Sequence, residues 1–152
     1  MSATGDFAEL AERFCSLIEQ ASRADPLRFL ARIQEILSEL YATASALPDL
    51  TPESEQPADV QMTSAEWETR FTQLRELLGS YDQYEYESYE RSVADDLLDV
   101  YRDLGKGLGA MRSGASPADV IWEWRFGFQT HWAAHAEGAL FAIRQILNRP
   151  SN

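Results

Sequence analysis

Two histidines in the last quarter of the sequence have the spacing of a metal-chelating pair. His131 and His135 are four positions apart, so on a helix their Cβ atoms lie about 5–6 Å apart on one face. Two imidazoles are an incomplete ligand set, because a structural zinc site needs four protein ligands and a catalytic site needs three plus water. No glutamate follows His131, which excludes the His-Glu-x-x-His pattern of zinc proteases. We therefore predict hydrogen-bonded histidines in a helical bundle and no cofactor, with a divalent metal as the open alternative.

The segment before these histidines carries a run of aspartates. Its apolar residues recur at helical spacing, and Asp96 and Asp103 border the apolar stripe beside small residues. Another helix could approach closely there, so these two carboxylates are candidates for a site. Asp95 and Asp99 fall on the opposite side, where we predict a solvated face with one weak ion pair between Asp99 and Arg102.

Arg125 is the cation that most needs a partner. No acid lies three or four residues away on its own predicted helix, and an unpaired buried charge is very costly. We expect Asp96 or Asp103 to form a salt bridge with Arg125 that locks the bundle, with an anion-binding arginine as the alternative. No catalytic residues are predicted. The candidate pocket between the fourth and fifth predicted helices comprises Asp96, Asp103, Glu123, Arg125, His131 and His135.

Five helices are predicted from the spacing of apolar residues, over about 6–21, 26–47, 64–78, 88–111 and 117–147. Asp6, Asp25, Thr63 and Ser116 are their predicted N-caps. An acidic, proline-rich stretch over about 48–62 predicts an exposed loop. Residues 80–89 alternate tyrosines with acids, and we predict a loop because no partner strand is visible nearby.

The aromatic residues Trp122, Trp124, Phe126 and Phe128 alternate with other residues, which is a strand pattern. A strong helix cap upstream and an alanine-rich stretch downstream favour a helix instead. The four rings then lie on two opposite faces, which is typical of a helix surrounded by others. The sequence therefore predicts an all-α fold, a single helical bundle of about five helices with the C-terminal helix central. The whole chain, residues 1–152, is predicted to be one domain.

Composition limits the partners and the compartment. The chain of 152 residues carries 25 acidic and 13 basic side chains, a net charge of -12, which argues against direct binding to nucleic acid or to an anionic membrane. No signal-peptide pattern or long apolar run is present, so we expect a cytoplasmic protein. The lone Cys15 excludes a disulfide framework, and we predict that it is a small buried hydrophobic residue. A protein partner, or a homodimer through apolar surface on the first or third helix, stays open.

Two long segments resemble a bacterial helical family known as domain of unknown function 5063. They are residues 92–104, Ser-Val-Ala-Asp-Asp-Leu-Leu-Asp-Val-Tyr-Arg-Asp-Leu, and residues 121–135, Ile-Trp-Glu-Trp-Arg-Phe-Gly-Phe-Gln-Thr-His-Trp-Ala-Ala-His. Residues 14–19 and 40–48 are similar in style, so the resemblance covers nearly the whole chain. It implies an all-helical, cytoplasmic bacterial domain and supports a helix over residues 121–135. It supplies no catalytic residues.

Residues 95–100, Asp-Asp-Leu-Leu-Asp-Val, are similar to the carboxylate helix of the all-α nucleotide pyrophosphatases. In that family, acidic pairs on facing helices hold magnesium. This chain departs from the pattern, because the upstream Glu-x-x-Glu would be Glu87 and Glu90. These two lie too close in sequence to the aspartates to form a separate facing helix.

Three classes of function follow from these observations. We predict a non-catalytic interaction or regulatory module, because no complete catalytic set is present. The first alternative is a metal- or anion-binding pocket between the fourth and fifth helices, with hydrolysis as its chemistry. The second is an acidic mimic of nucleic acid, which requires carboxylates spaced along one face.

Overall fold

The computed structural model describes residues 3–54 and 62–149. Those residues form six α-helices and one antiparallel hairpin, and a π-helical turn, Phe128–Trp132, joins the last two helices. The all-α fold is confirmed, whereas residues 55–61 of the predicted loop lie outside the described residues. The elements are α1 (Ala3–Glu19), α2 (Pro26–Ala44), α3 (Ser64–Leu78), β1 (Gln83–Tyr86), β2 (Tyr89–Ser92), α4 (Val93–Arg112), α5 (Pro117–Gly127) and α6 (Ala133–Leu147).

Three helices begin at the residues that the sequence predicts. The side chains of Asp25, Thr63 and Ser116 each accept a hydrogen bond from the backbone N–H three residues further along, which satisfies one of the unpaired donors of a helix start. The predicted cap at Asp6 is wrong. Because α1 already begins at Ala3, Asp6 lies in its first turn, where a negative charge is favourable.

The hairpin corrects the prediction of a loop over residues 80–89. Strand β1 pairs with β2, and the register places Tyr84 opposite Arg91. Glu87 and Ser88 form the turn with φ of 52° and 71°, the left-handed conformation that two-residue hairpin turns require. Neither is glycine or asparagine, so the usual turn signal is absent. The second strand occupies residues predicted to open the fourth helix, and α4 begins only after its cap at Ser92.

Helix α4 lies at the centre of the bundle. It packs against α1, α3, α5 and α6, and its buried side chains surround much of its circumference. The predicted central position of the C-terminal helix is therefore wrong. The π-helical turn divides the predicted fifth helix into α5 and α6, and each keeps an outer face, with Phe126 48% exposed and Phe141 38% exposed.

The contact between α4 and α5 depends on a glycine. A Cβ atom on Gly107 would overlap the indole ring of Trp124, so no larger residue fits without displacing α5. The Trp124 indole N–H donates a hydrogen bond of 3.2 Å to the backbone carbonyl of Leu104, and Phe7 packs on the same ring with centroids 4.9 Å apart. This contact fixes the direction in which the chain enters the π-helical turn and α6.

Two predictions from the sequence concern the environment of Cys15 and the length of the apolar helices. Cys15 is buried, as predicted, and burial raises the pKa of its thiol to about 12, so the thiolate that reacts as a nucleophile is scarce near neutral pH. Within residues 3–54 and 62–149, no helix has the length and apolar character to cross a lipid bilayer.

Candidate functional site

The facing surfaces of α4 and α6 hold a cluster of aspartates and histidines, which we call the Asp–His cluster. It consists of Asp96, Asp99 and Asp103 on α4, His131 in the π-helical turn and His135 on α6. The side chains of the three aspartates are 2%, 11% and 16% exposed, in that order. The structure thus brings together four of the six predicted pocket residues and adds Asp99.

Asp99 was predicted on a solvated face, and that prediction is wrong. Asp96, Asp99 and Asp103 follow one another at three- and four-residue spacing, so all three lie on the same side of α4. The predicted ion pair is present, since Arg102 Nη2 lies 2.8 Å from Asp99 Oδ1. Arg102 approaches from the solvent side, while α6 covers the remainder of the carboxylate.

The π-helical turn places the first histidine. His131 lies in the turn, and the adjacent Trp132 is fully buried, with its ring 4.7 Å from that of Phe128. A π-helical turn is a costly local departure that is found often at functional sites. The imidazole rings of His131 and His135 lie 4.8 Å apart at 69°, so both face α4.

Each histidine uses one ring nitrogen to contact a carboxylate of α4, which is buried at Asp96 and partly buried at Asp103. His131 Nδ1 lies 2.6 Å from Asp103 Oδ2, and His135 Nδ1 lies 2.8 Å from Asp96 Oδ1. A carboxylate can only accept, so Nδ1 of each imidazole donates the proton in these contacts. His131 Nε2 then carries a lone pair in the neutral ring, whereas His135 Nε2 faces the acceptor-only Asp99 carboxylate at 3.1 Å and offers a lone pair only once its own proton has left.

Both Nε2 atoms are directed at Asp99. His135 Nε2 lies 3.1 Å from Asp99 Oδ2, and His131 Nε2 lies 3.8 Å from Asp99 Oδ1. One ligand atom from each of the three residues lies within 4.8 Å of the others. One nitrogen of each imidazole and one oxygen of Asp99 therefore lie near enough to one another to hold a single ion, while Asp96 and Asp103 contact the histidines through Nδ1.

The charges of the cluster influence one another. Burial raises the pKa of the Asp99 carboxyl, although the neighbouring His135 opposes this rise. The hydrogen bond to Asp96 raises the pKa of the His135 imidazole, although burial opposes this rise. A protonated His135 therefore balances the two carboxylates that contact it, together with Arg91 at Asp96 and Arg102 at Asp99.

A second group of possible ligands is Asp95, Asp96 and His135, which also lie within 4.8 Å of one another. Asp96 Oδ1 in this group already faces both His135 Nδ1 and the Arg91 guanidinium, the latter at 3.1 Å. A cation there would have to displace a positive group. In the Asp99, His131 and His135 arrangement only the proton on His135 would have to leave, because Arg102 contacts the other oxygen of Asp99.

The other two predicted pocket residues lie elsewhere. Arg125 pairs with Asp49 of the 48–54 loop, with Arg125 Nη1 3.0 Å from Asp49 Oδ1, and the predicted pairing with Asp96 or Asp103 is wrong. Asp103 is already contacted by His131 of the π-helical turn, and Asp96 by His135 of α6 and by the hairpin. Glu123 is half-buried on α5, where burial raises the pKa of its carboxyl and the charge of Lys106 opposes the rise.

Two residues of the hairpin contact the cluster, and neither was predicted. The Tyr84 hydroxyl donates a hydrogen bond to Asp96 Oδ2, and Arg91 Nη2 lies 3.1 Å from Asp96 Oδ1. Cross-strand pairing of Tyr84 with Arg91 would have been a signal for this contact, but only once the hairpin is known.

An open cleft of about 450 Å³ reaches the cluster from solvent. His135 and Asp96 form part of its wall, together with Arg91 of the hairpin. Arg75 and Asp82 also line it, with Arg75 Nε 3.6 Å from Asp82 Oδ2. A small solute can therefore reach the cluster at Asp96 and His135 from the side of the hairpin, whereas Asp99 and His131 do not line this cleft.

Comparison with known proteins identifies the family. The profile of a family described as domain of unknown function (DUF5063) matches residues 2–149, and the chain belongs to that family. A crystal structure of protein BF1032 from Bacteroides fragilis is similar, with a TM-score of 0.87 and 22% identity, over 95% of this chain and 92% of that one. That likeness shows the fold. No curated protein matches the chain.

Proposed function

We propose that this member of the DUF5063 family binds one divalent transition-metal ion through Asp99, His131 and His135. One observation carries the proposal: both histidines turn Nδ1 to an outer carboxylate, Asp103 or Asp96, and Nε2 to a third carboxylate, Asp99. Histidines that bind metals almost always donate their other N–H to such an outer partner, which fixes the tautomer and the ring orientation. Asp103 and Asp96 are the outer partners here.

The distances fit a metal after small rotations of the side chains. Nitrogen and oxygen ligands bind zinc at about 2.0–2.2 Å, so two ligand atoms of a tetrahedral site lie about 3.3 Å apart. The distance from His135 Nε2 to Asp99 Oδ2 is already 3.1 Å. Asp99 can bind through Oδ2 and keep its contact from Arg102 at Oδ1.

The ligand types favour a transition metal over magnesium. Imidazole nitrogen suits zinc, iron, nickel and copper, whereas magnesium takes oxygen ligands. Three protein ligands leave positions for water, the coordination typical of catalytic rather than structural zinc sites. We therefore extend the proposal to hydrolysis by a metal-activated water, with substrate entering through the cleft beside His135.

The test is calorimetric titration of the metal-stripped protein with zinc, cobalt(II), manganese and magnesium. We expect about one zinc or cobalt ion per chain and far weaker binding of magnesium. Asp99→Asn and His131→Ala should each weaken cobalt binding by about 100-fold or more, since loss of an outer partner alone costs about 10- to 100-fold.

Asp95→Asn is the matched control, because it removes the same charge from the same helix outside the proposed ligand set. It should bind cobalt as the wild type does. If Asp95→Asn weakens cobalt binding and Asp99→Asn does not, the second ligand group is the site instead. Absence of zinc and cobalt binding at millimolar metal would overturn the proposal.

The metal titration does not test the other functional predictions made from the sequence. A non-catalytic role in regulation or interaction, a cytoplasmic location, a protein partner and a homodimer all stay predictions. For an acidic mimic of nucleic acid, the orientation of the acids is relevant: Asp82, Asp96 and Asp99 are buried. Their carboxylates are thus unavailable to imitate a row of phosphates.

A further inference from the structure

The hairpin β1–β2 meets the Asp–His cluster at one carboxylate. Asp96 is 1% exposed, and both members of the cross-strand pair Tyr84 and Arg91 reach it. The two contacts come from different strands, so the carboxylate is held only when the hairpin is closed and in register. The hairpin is therefore part of the environment of His135, which contacts the same carboxylate.

The contacts fix the orientation of the Asp96 carboxylate. Tyr84 donates to Oδ2, whereas Arg91 and His135 both contact Oδ1. Rotation of the carboxylate about its Cβ–Cγ bond would break the Tyr84 hydrogen bond and move Oδ1 away from His135 Nδ1. Because that contact orients the imidazole, the Tyr84 hydroxyl determines indirectly where His135 Nε2 lies.

A glycine on α6 provides the space for this arrangement. A Cβ atom on Gly138 would overlap the Tyr84 hydroxyl oxygen and lie 3.0 Å from Arg91 Cζ. Gly138 is helical and has an ordinary negative φ, so backbone freedom does not explain the glycine. Close approach of the hairpin does, one turn after His135.

The turn of the hairpin has an unfavourable backbone conformation. Glu87 and Ser88 both adopt positive φ, a conformation that is unfavourable for residues other than glycine. A two-residue turn of this kind fixes the register of the flanking strands.

We propose that the β1–β2 hairpin is a positioning element for the metal site, in which Tyr84 and Arg91 hold Asp96 so that His135 Nε2 is aimed at the ion. This inference rests on the proposed function, because it assigns the hairpin a role in the affinity and geometry of that same site. Tyr84 and Arg91 are positioning residues and not ligands.

Tyr84→Phe tests the inference by removing one oxygen atom. We expect about 10-fold weaker cobalt binding, the lower end of the range for a lost outer partner, because Asp96, which is that partner, stays in place. We also expect a change in the visible absorption bands of the cobalt-saturated protein, because the His135 nitrogen is reoriented. A purely structural role would lower the unfolding midpoint and leave the bands of the saturated site unchanged.

Tyr86→Phe is the matched control. Tyr86 lies on the same strand, and its ring packs against Phe141 with centroids 4.9 Å apart. Removing its hydroxyl should leave cobalt affinity and spectrum as in the wild type. Equal loss in Tyr84→Phe and Tyr86→Phe would overturn the inference.

Gly138→Ala is an independent test that changes neither a ligand nor an outer partner. The added methyl group displaces Tyr84 from α6, so cobalt binding should weaken and the spectrum should shift in the same direction as in Tyr84→Phe. If both variants bind cobalt like the wild type while Asp99→Asn does not, the hairpin inference fails and the metal site stands. If the wild type binds no cobalt, both proposals fail.

Discussion

Two ion pairs of this protein have nearly the same length but very different surroundings. His135 Nδ1 lies 2.8 Å from Asp96 Oδ1, and Arg125 Nη1 lies 3.0 Å from Asp49 Oδ1. The side chain of Asp96 is 2% exposed, whereas that of Asp49 is 81% exposed. The distance between the atoms therefore does not show which contact contributes more to stability. The solvent exposure of the two pairs does.

The difference matters because water screens one pair and not the other. An exposed pair contributes about 0–1 kcal/mol. A buried charge has lost its hydration, and it is tolerated only with several partners. Asp96 has three of them, Tyr84, Arg91 and His135. We therefore expect Asp96 to be sensitive to substitution and Arg125 to be tolerant.

The largest effect on stability is expected for Asp96→Asn. The substitution keeps the shape of the side chain but removes the charge that balances Arg91 and His135. We expect the free energy of unfolding to fall by about 2–3 kcal/mol, below the usual cost of breaking a fully buried pair, because both partners keep some contact with solvent. Urea denaturation of the metal-stripped protein at neutral pH measures this change.

Asp95→Asn is again the control, since it changes the neighbouring residue of the same helix. Its free energy of unfolding should stay within about 0.5 kcal/mol of the wild type, as for an ordinary surface substitution. Similar losses in Asp95→Asn and Asp96→Asn would show that the general acidity of α4, and not the partners of Asp96, determines the effect.

A smaller effect is expected when the pH changes. The pKa of His135 is raised above its ordinary value of 6.5 by the hydrogen bond to Asp96. The contribution of His135 to stability is thus fully present below pH 6.5 and is lost as the pH rises through the pKa of the folded state. Metal binding has the opposite dependence, because the ion competes with the proton on this ring.

The measurement compares the wild type with His135→Gln in urea between about pH 5.5 and about pH 8.5, with a chelator present. The stability advantage of the wild type should be largest at the acidic end and should shrink toward the alkaline end. An advantage that grows with pH would show that the neutral imidazole, and not the imidazolium, is the partner of Asp96.

Local features of the fold could be predicted from the sequence. The caps at Asp25, Thr63 and Ser116 depend on hydrogen bonds within one helical turn, so the neighbouring residues suffice to find them. The hairpin was missed because Glu87 and Ser88 adopt a turn that glycine or asparagine usually forms. The hairpin is stabilised instead by tertiary contacts, namely the hydrogen bond to Asp96 and the close approach to α6 at Gly138.

The candidate site could be predicted only in part. The spacing of the two histidines, and the position of Asp96 and Asp103 at the edge of the apolar stripe, correctly indicated the facing surfaces of α6 and α4. Asp99 has the spacing that places it on the same face as Asp96 and Asp103, but Arg102 offered a simpler local partner. Whether Asp99 faces solvent beside Arg102 or faces the two histidines depends on how α6 packs on α4. That packing is a tertiary property without a local signal in the sequence. The partner of Arg125 is in a distant loop for the same reason.

The smallest effect is expected for Arg125→Ala. Arg125 is 29% exposed and its partner Asp49 is 81% exposed, so the pair is screened by water and competes with the entropy of two flexible side chains. We expect the free energy of unfolding to fall by less than about 1 kcal/mol, and most of that difference should disappear in about 1 M salt, where charges are screened within about 3 Å.

Asp49→Ala separates the pair from the arginine itself, because it removes the exposed partner and leaves Arg125 in place. The two single variants and the double variant should lose about the same stability, since each breaks the same contact. A loss of several kcal/mol in Arg125→Ala that persists at high salt would contradict the comparison between the two ion pairs. Arg125 would then act through the packing of its aliphatic stem against neighbouring side chains and not through charge.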